Sequence, residues 1–132
     1  MGGGDARYHA HIYYRDDERS AAAELRERLI ALTAAGSEPQ ILFVGRMADG
    51  PIGPHPLPQF ETHFAARWRD EVIAITEPTG LRALVHPLTD DDLADHTRLA
   101  HWIGEPLLLD LTALDPPGEN QGMARFGATD FA

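Results

Sequence analysis

The sequence predicts an α+β sandwich, a single sheet of order β-α-β-β-α-β with helices on one face, followed by an extra C-terminal helix and arm. Three observations carry this. Tyr8 to Tyr14 and Gln59 to Ala65 alternate with the period of two expected of half-buried strands. Between them, Ala22, Leu25, Leu29 and Leu32 recur at helical spacing. Ile41 to Val44 and Leu81 to His86 are short apolar runs bounded by Gly and Pro. At 132 residues the chain fits one domain that can bury a core without staples. The organisation expected is a flexible segment over 1–6, the domain over 7–114 and a tail or wrapping arm over 115–132, where Pro, Gly, Asn and Ala accumulate.

The elements follow in order. Tyr8-His-Ala-His-Ile-Tyr-Tyr14 is rich in aromatic and β-branched types. As a strand it turns Ala10, Ile12 and Tyr14 to one face and His9, His11 and Tyr13 to the other. Asp16 or Asp17 is placed to cap the first helix, which is expected to run to Gly36. Ile41 to Val44 suits a buried strand, and Gly45 to Pro58 is a long loop stiffened by prolines. The third strand places Phe60, Thr62 and Phe64 on one face and Gln59, Glu61 and His63 on the other. Trp68, Val72 and Ile75 repeat at helical spacing, although Val72 to Thr76 alone also reads as a strand; Pro78 and Gly80 end either. Leu81 to His86 forms the fourth strand. Thr89 with Asp92 is a capping-box variant opening a third helix that carries His96 and His101.

Composition narrows the chemistry. No cysteine is present, which excludes disulfides, thiolate metal sites and a cysteine nucleophile, so any metal must be held by His, Asp or Glu. The formal charge of -10, from 21 acidic and 11 basic residues, repels phosphate backbones and argues against nucleic acid or an anionic membrane as partner. No apolar run approaches the roughly 18 residues of a membrane span, and the first residues are neither basic nor apolar. A cytoplasmic protein with a small-molecule substrate is expected.

The element order is that of a ferredoxin-like unit. The first and third strands are expected to lie parallel at its centre, with the fourth antiparallel beside the first. That arrangement would bring the start of strand one, the start of strand three and the end of strand four to one edge, carrying His9, His55 and His86, with His11 one step further in. The polar face opposite the helices then needs a partner chain, the C-terminal arm or a ligand to cover it. A His-x-His pair on a strand is also an ordinary polar face, and it is the joint arrival of four histidines that points to a site. Neutral imidazole suits Zn, Fe, Cu or Ni. A two-His, one-carboxylate face suits non-haem Fe(II) oxygen chemistry, with Glu61 the nearest carboxylate by strand parity; an all-histidine site is equally compatible. His96 reads either as a supporting donor or as a solvated residue. His63 and His101 read as surface or interface residues.

Tyr8-His-Ala-His-Ile-Tyr13, Val44-Gly-Arg46, Ile52-Gly-Pro-His-Pro56 with Pro58, Leu84-Val-His-Pro-Leu-Thr89, Asp92 to Thr97 and Trp102-Ile-Gly-Glu-Pro106 through Leu111 occur together and in this order. In this the chain resembles the DOPA 4,5-dioxygenase family over roughly residues 7 to 114. The resemblance implies a ferredoxin-like fold, a homodimer, and dioxygen-dependent extradiol opening of the ring of DOPA or a related catechol at Fe(II), with Zn acceptable in the isolated protein. It carries His9, His11, His55 and His86 over as metal or acid–base residues, with His96 beside them. Arg46, Tyr13 and Glu61 become candidate substrate contacts, Arg46 as a fork for a carboxylate or equally as a structural ion pair. Two other classes fit the residues: a non-catalytic dimeric module binding a small ligand or zinc on the same face, and a cofactor-free enzyme using the histidines only as acids and bases.

Overall fold

The computed structural model describes residues 6–51 and 53–114; the remainder of the expected N-terminal segment and the arm expected over 115–132 lie outside them. Five strands form one sheet: β1 (Arg7–Tyr13), β2 (Ile41–Val44), β3 (Gln59–Ala65), β4 (Ala83–Pro87) and β5 (His101–Ile103). Their spatial order is β2-β3-β1-β4-β5. The helices are α1 (Arg19–Ala31), α2 (Arg69–Thr76) and the five-residue α3 (Asp92–His96). Among the described residues no helix is long and apolar enough to cross a membrane.

The expected α+β fold is present, with one correction at its centre. β1 and β3 are antiparallel, as is every other neighbouring pair. The reason is the connection: α1 returns the chain so that β2 runs parallel to β1, and the reversal through residues 45–58 then turns β3 against both. The start of β1 therefore meets the end of β3 and the end of β4, with Arg7 opposite Ala65 and His9 opposite His86. The start of β3 lies instead beside Tyr13, at the other end of β1.

The alternation in β1 and β3 sorts their side chains as the sequence requires. Ala10, Ile12, Tyr14, Phe60 and Phe64 enter the core, where Ala22, Leu25 and Leu29 of α1 and Val72 and Ile73 of α2 meet them. Thr62 is buried on the same face because its hydroxyl donates to the Phe43 carbonyl at 2.9 Å. Val72 to Thr76 is helix, not strand: burial recurs at Val72, Ile73 and Thr76, and the Thr76 hydroxyl donates to the Val72 carbonyl.

Several boundaries differ from the sequence expectation. Asp16 to Glu18 form a single 3-10 turn before α1, and Glu18, not Asp16 or Asp17, accepts the Arg15 amide. α1 stops at Ala31, where the amides of Leu32 and Thr33 bond three residues back and tighten the last turn; Gly36 takes its left-handed conformation (φ 83°) only later in the loop. α3 is capped by Asp91, whose carboxylate accepts the Ala94 amide, while Thr89 binds Asp95 through both its amide and its hydroxyl. The helix ends at His96. His101 therefore lies on the unforeseen strand β5, paired with Val85.

The long 45–58 loop is tied down at both ends, and at its far end the Pro58 carbonyl accepts the Tyr14 amide at 3.0 Å. Ala48 bridges Gln59 on β3, and Asp49 accepts from Tyr14 and from both prongs of Arg19. These anchors hold the segment that delivers His55 to the sheet.

Candidate metal centre

Six of the chain's seven histidines gather on the sheet face opposite the core helices. β1 contributes His9 and His11, β3 His63, β4 His86, α3 His96 and the 45–58 loop His55; all six, with Gln59 and Glu61, are between 1 and 8 % exposed. The antiparallel registers produce the gathering. His9 is flanked directly by His63 on β3 and His86 on β4, and His11 by Glu61 on β3. His55 reaches the cluster from the Tyr13 end, where its Nδ1 lies 2.7 Å from the Tyr13 hydroxyl. Tyr13 is itself buried and stacks on Trp102, with ring centroids 6.0 Å apart.

The hydrogen bonds sort the ring nitrogens. A backbone carbonyl can only accept, so His86 Nδ1–H donates to the Pro87 carbonyl at 2.7 Å and His96 Nδ1–H to the Asp92 carbonyl at 2.8 Å. His11 Nδ1 lies 3.1 Å from Gln59 Oε1 and donates there. Each of these rings is thereby left with a lone pair on Nε2. His11 Nε2 and His86 Nε2 face one another at 3.0 Å. Two lone pairs at that distance repel unless a cation or a proton lies between them. Two metal–nitrogen bonds of about 2.1 Å meeting near a right angle span about 3.0 Å. The donor set therefore fits a metal ion, held through Nε2, with each Nδ1–H fixed by an oxygen behind it as such ligands require.

His9, His11 and His86 offer three donor atoms within 4.8 Å of one another, and His11, His55 and His96 offer another such set. His11 belongs to both. With its Nδ1 committed to Gln59, it can serve one ion through Nε2.

Burial first, and then the neighbouring histidines, push the imidazoles of both His11 and His86 well below the usual histidine range. Neutral rings are the ligating form. The same shift sets a stability profile. Below about pH 6.5 the unfolded chain binds protons that these two buried rings refuse, so the metal-free fold loses stability as pH falls, by up to about 1.4 kcal/mol per pH unit for each ring. Urea midpoints of chelator-treated protein are expected to drop clearly between pH 7.5 and 5.5; a flat profile would contradict the neutral, buried state of these rings.

Of the residues singled out in the sequence, His9, His11, His55, His86, His96, Glu61 and Tyr13 come together, whereas Arg46 is exposed. His63, expected at the surface or an interface, is buried in the cluster with its Nε2 2.9 Å from Glu61 Oε2. The signal for it is parity with Glu61 on one strand, which becomes informative once the antiparallel register sets His63 against His9.

The sequence profile of the Dopa 4,5-dioxygenase family matches residues 8–113. A DOPA 4,5-dioxygenase of Amanita muscaria is 34 % identical over 113 residues, 81 % of this chain and 49 % of that protein. An uncharacterised 21.2 kDa protein of Botryotinia fuckeliana is 33 % identical over 115 residues, 80 % of this chain and 61 % of its own length. The chain thus spans about half to three fifths of the curated relatives it matches. A crystal structure from Nostoc punctiforme, of a protein assigned as a candidate dioxygenase, superposes with a TM-score of 0.72 at 34 % identity, covering 83 % of this chain and 91 % of the other.

Proposed function

This chain belongs to the Dopa 4,5-dioxygenase family, and from that premise we propose that it is a metal-dependent extradiol dioxygenase that opens the ring of DOPA or a related catechol. The observation that carries the reading is the pair of Nε2 atoms of His11 and His86, 3.0 Å apart, each on a ring whose other nitrogen is anchored to an oxygen.

In this reading His9, His11 and His86 hold the ion, and Fe(II) there supplies Lewis acidity and electron exchange with dioxygen. The chain's own residues do the rest. His55 and His96 pack against these donors, at centroid distances of 4.1 Å from His11 and 4.3 Å from His86 respectively, and are the residues proposed to take a phenolic proton from a catechol. Tyr13 fixes the ring of His55 through its hydroxyl.

One feature favours a second reading. No imidazole of the cluster is more than 8 % exposed, as expected of a closed structural zinc shell. Oxygen consumption by protein freshly reconstituted with Fe(II), measured with L-DOPA and simple catechols beside the yellow absorbance of a ring-opened product, separates the two. Iron-dependent uptake that a chelator abolishes is the expected result. Silence across the catechols with iron confirmed bound would transfer the assignment to the structural zinc reading.

A further inference from the structure

Behind His9 stands a second buried group. Glu61 Oε2 lies 2.9 Å from His63 Nε2 and 3.6 Å from His9 Nδ1, and the rings of His9 and His63 stack at 3.9 Å with only 7° between their planes. The β1–β3 register makes the trio: His63 is directly opposite His9, and Glu61 is opposite His11. Phe43 of β2 packs on His63, with centroids 4.8 Å apart, so the stack is supported from the next strand. Room for the carboxylate comes from Gly45. Its amide donates to the Glu61 carbonyl at 2.7 Å, and a Cβ there would stand 3.3 Å from Glu61 Cγ.

His9, Glu61 and His63 also offer three potential metal-binding atoms within 4.8 Å of one another. The stacking speaks against a chelate. Nearly parallel imidazoles keep their in-plane lone pairs in two separate parallel planes, whereas a shared ion needs them to converge. What the two rings share is the carboxylate oxygen.

We propose that Glu61 and His63 are positioning residues for His9: His63 donates to Glu61 and stacks on His9, and the carboxylate so held orients the His9 ring and strengthens Nε2 as a metal donor. This rests on the metal reading above and extends it one layer outward. Carboxylates behind ligating histidines usually change metal affinity by about 10- to 100-fold when removed.

The test is metal affinity, measured with Co(II) and Zn(II) against a chromophoric chelator, together with the visible Co(II) spectrum and metal stoichiometry. Glu61→Gln and His63→Ala are expected to weaken binding by about 10- to 100-fold and to shift the Co(II) bands, with partial recovery in His63→Gln, which keeps a donor for Glu61. Glu61→Gln preserves side-chain volume and so gives a reading even if His63→Ala fails to fold. Dissociation constants within twofold of wild type in folded variants, even with a lowered Tm, would reduce the pair to a packing element and overturn the proposal. Two ions per wild-type chain falling to one in His63→Ala would overturn it in favour of a second metal site. A wild-type chain that binds no metal would instead remove the metal reading itself.

Discussion

Replacing His11 by alanine is expected to lower metal affinity by more than about 100-fold while leaving a folded, metal-free chain. His11 belongs to both all-histidine donor sets, and its Nε2 is the partner that His86 Nε2 meets at 3.0 Å. Losing it leaves neither set with three donors, a deeper loss than the 10- to 100-fold typical of removing a supporting group. The fold should tolerate the change for an electrostatic reason. His11 is held neutral by burial first and then by repulsion from His55, His86, His9 and His96, so its removal deletes no charge and lifts the penalty that the buried ring imposes in acid. Its removal strands the Gln59 amide oxygen, a cost of about 1–3 kcal/mol if no water reaches it. Calorimetric metal titration and a thermal melt at pH 7.5 decide the matter: affinity within tenfold of wild type would exclude His11 as a ligand.

The opposite face of the sheet gives the largest expected loss of stability. Phe64→Ala removes a side chain with no solvent exposure from the layer between sheet and helices, where it also stacks with Tyr8 at 6.1 Å. Truncating a buried phenylalanine costs about 3–5 kcal/mol, against a total of about 5–15 kcal/mol for a domain of this kind. The Tm should fall on the order of 10 °C or more. Urea unfolding should show a lower midpoint with an unchanged slope. A loss under about 1 kcal/mol would mean that this face is not packed as described.

Much of this architecture is legible in the residues themselves. The alternation of β1 and β3 is unambiguous because each strand carries three apolar or hydroxyl-bearing side chains on one parity and polar ones on the other, so the amino-acid order alone assigns both faces. The bounds of β2 and β3 coincide with their apolar and alternating runs. Relative direction is not legible in this way. Nothing within β1 or β3 states whether the two run together or opposed; that is decided by the handed return of α1 and by a loop whose path depends on distant anchors such as Arg19 to Asp49. A parallel pairing separates His63 from His9 and brings His55 to the wrong end of the first strand, which is why both expectations needed correction. β5 is hidden for another reason. His101-Trp-Ile103 is too short to show a period, and its pairing with β4 is a tertiary choice.

The candidate site is legible only in its inventory. Histidine types and strand parity point to His9, His11, His55 and His86, but the oxygen acceptors that decide which nitrogen remains available, Gln59, Pro87 and Asp92, carry no sequence signature.

The antiparallel placement of β1 at the middle of the sheet also dictates an order of assembly. Its partners are far downstream: His11 meets Gln59 across 48 residues and His86 across 75. On a ribosome the strand emerges early and stays unpaired through the synthesis of α1 and the proline loop, and its second neighbour arrives only with β4. Closing such long loops costs entropy that local contacts cannot repay in advance, so the centre of this domain is among the last parts to consolidate. An ion held by His9, His11 and His86 could not act as an early template, because those residues come together only when β4 arrives. On the proposed metal reading, capture of the ion would mark the end of folding, and a chain stalled before β4 is expected neither to retain metal nor to protect β1 from proteolysis.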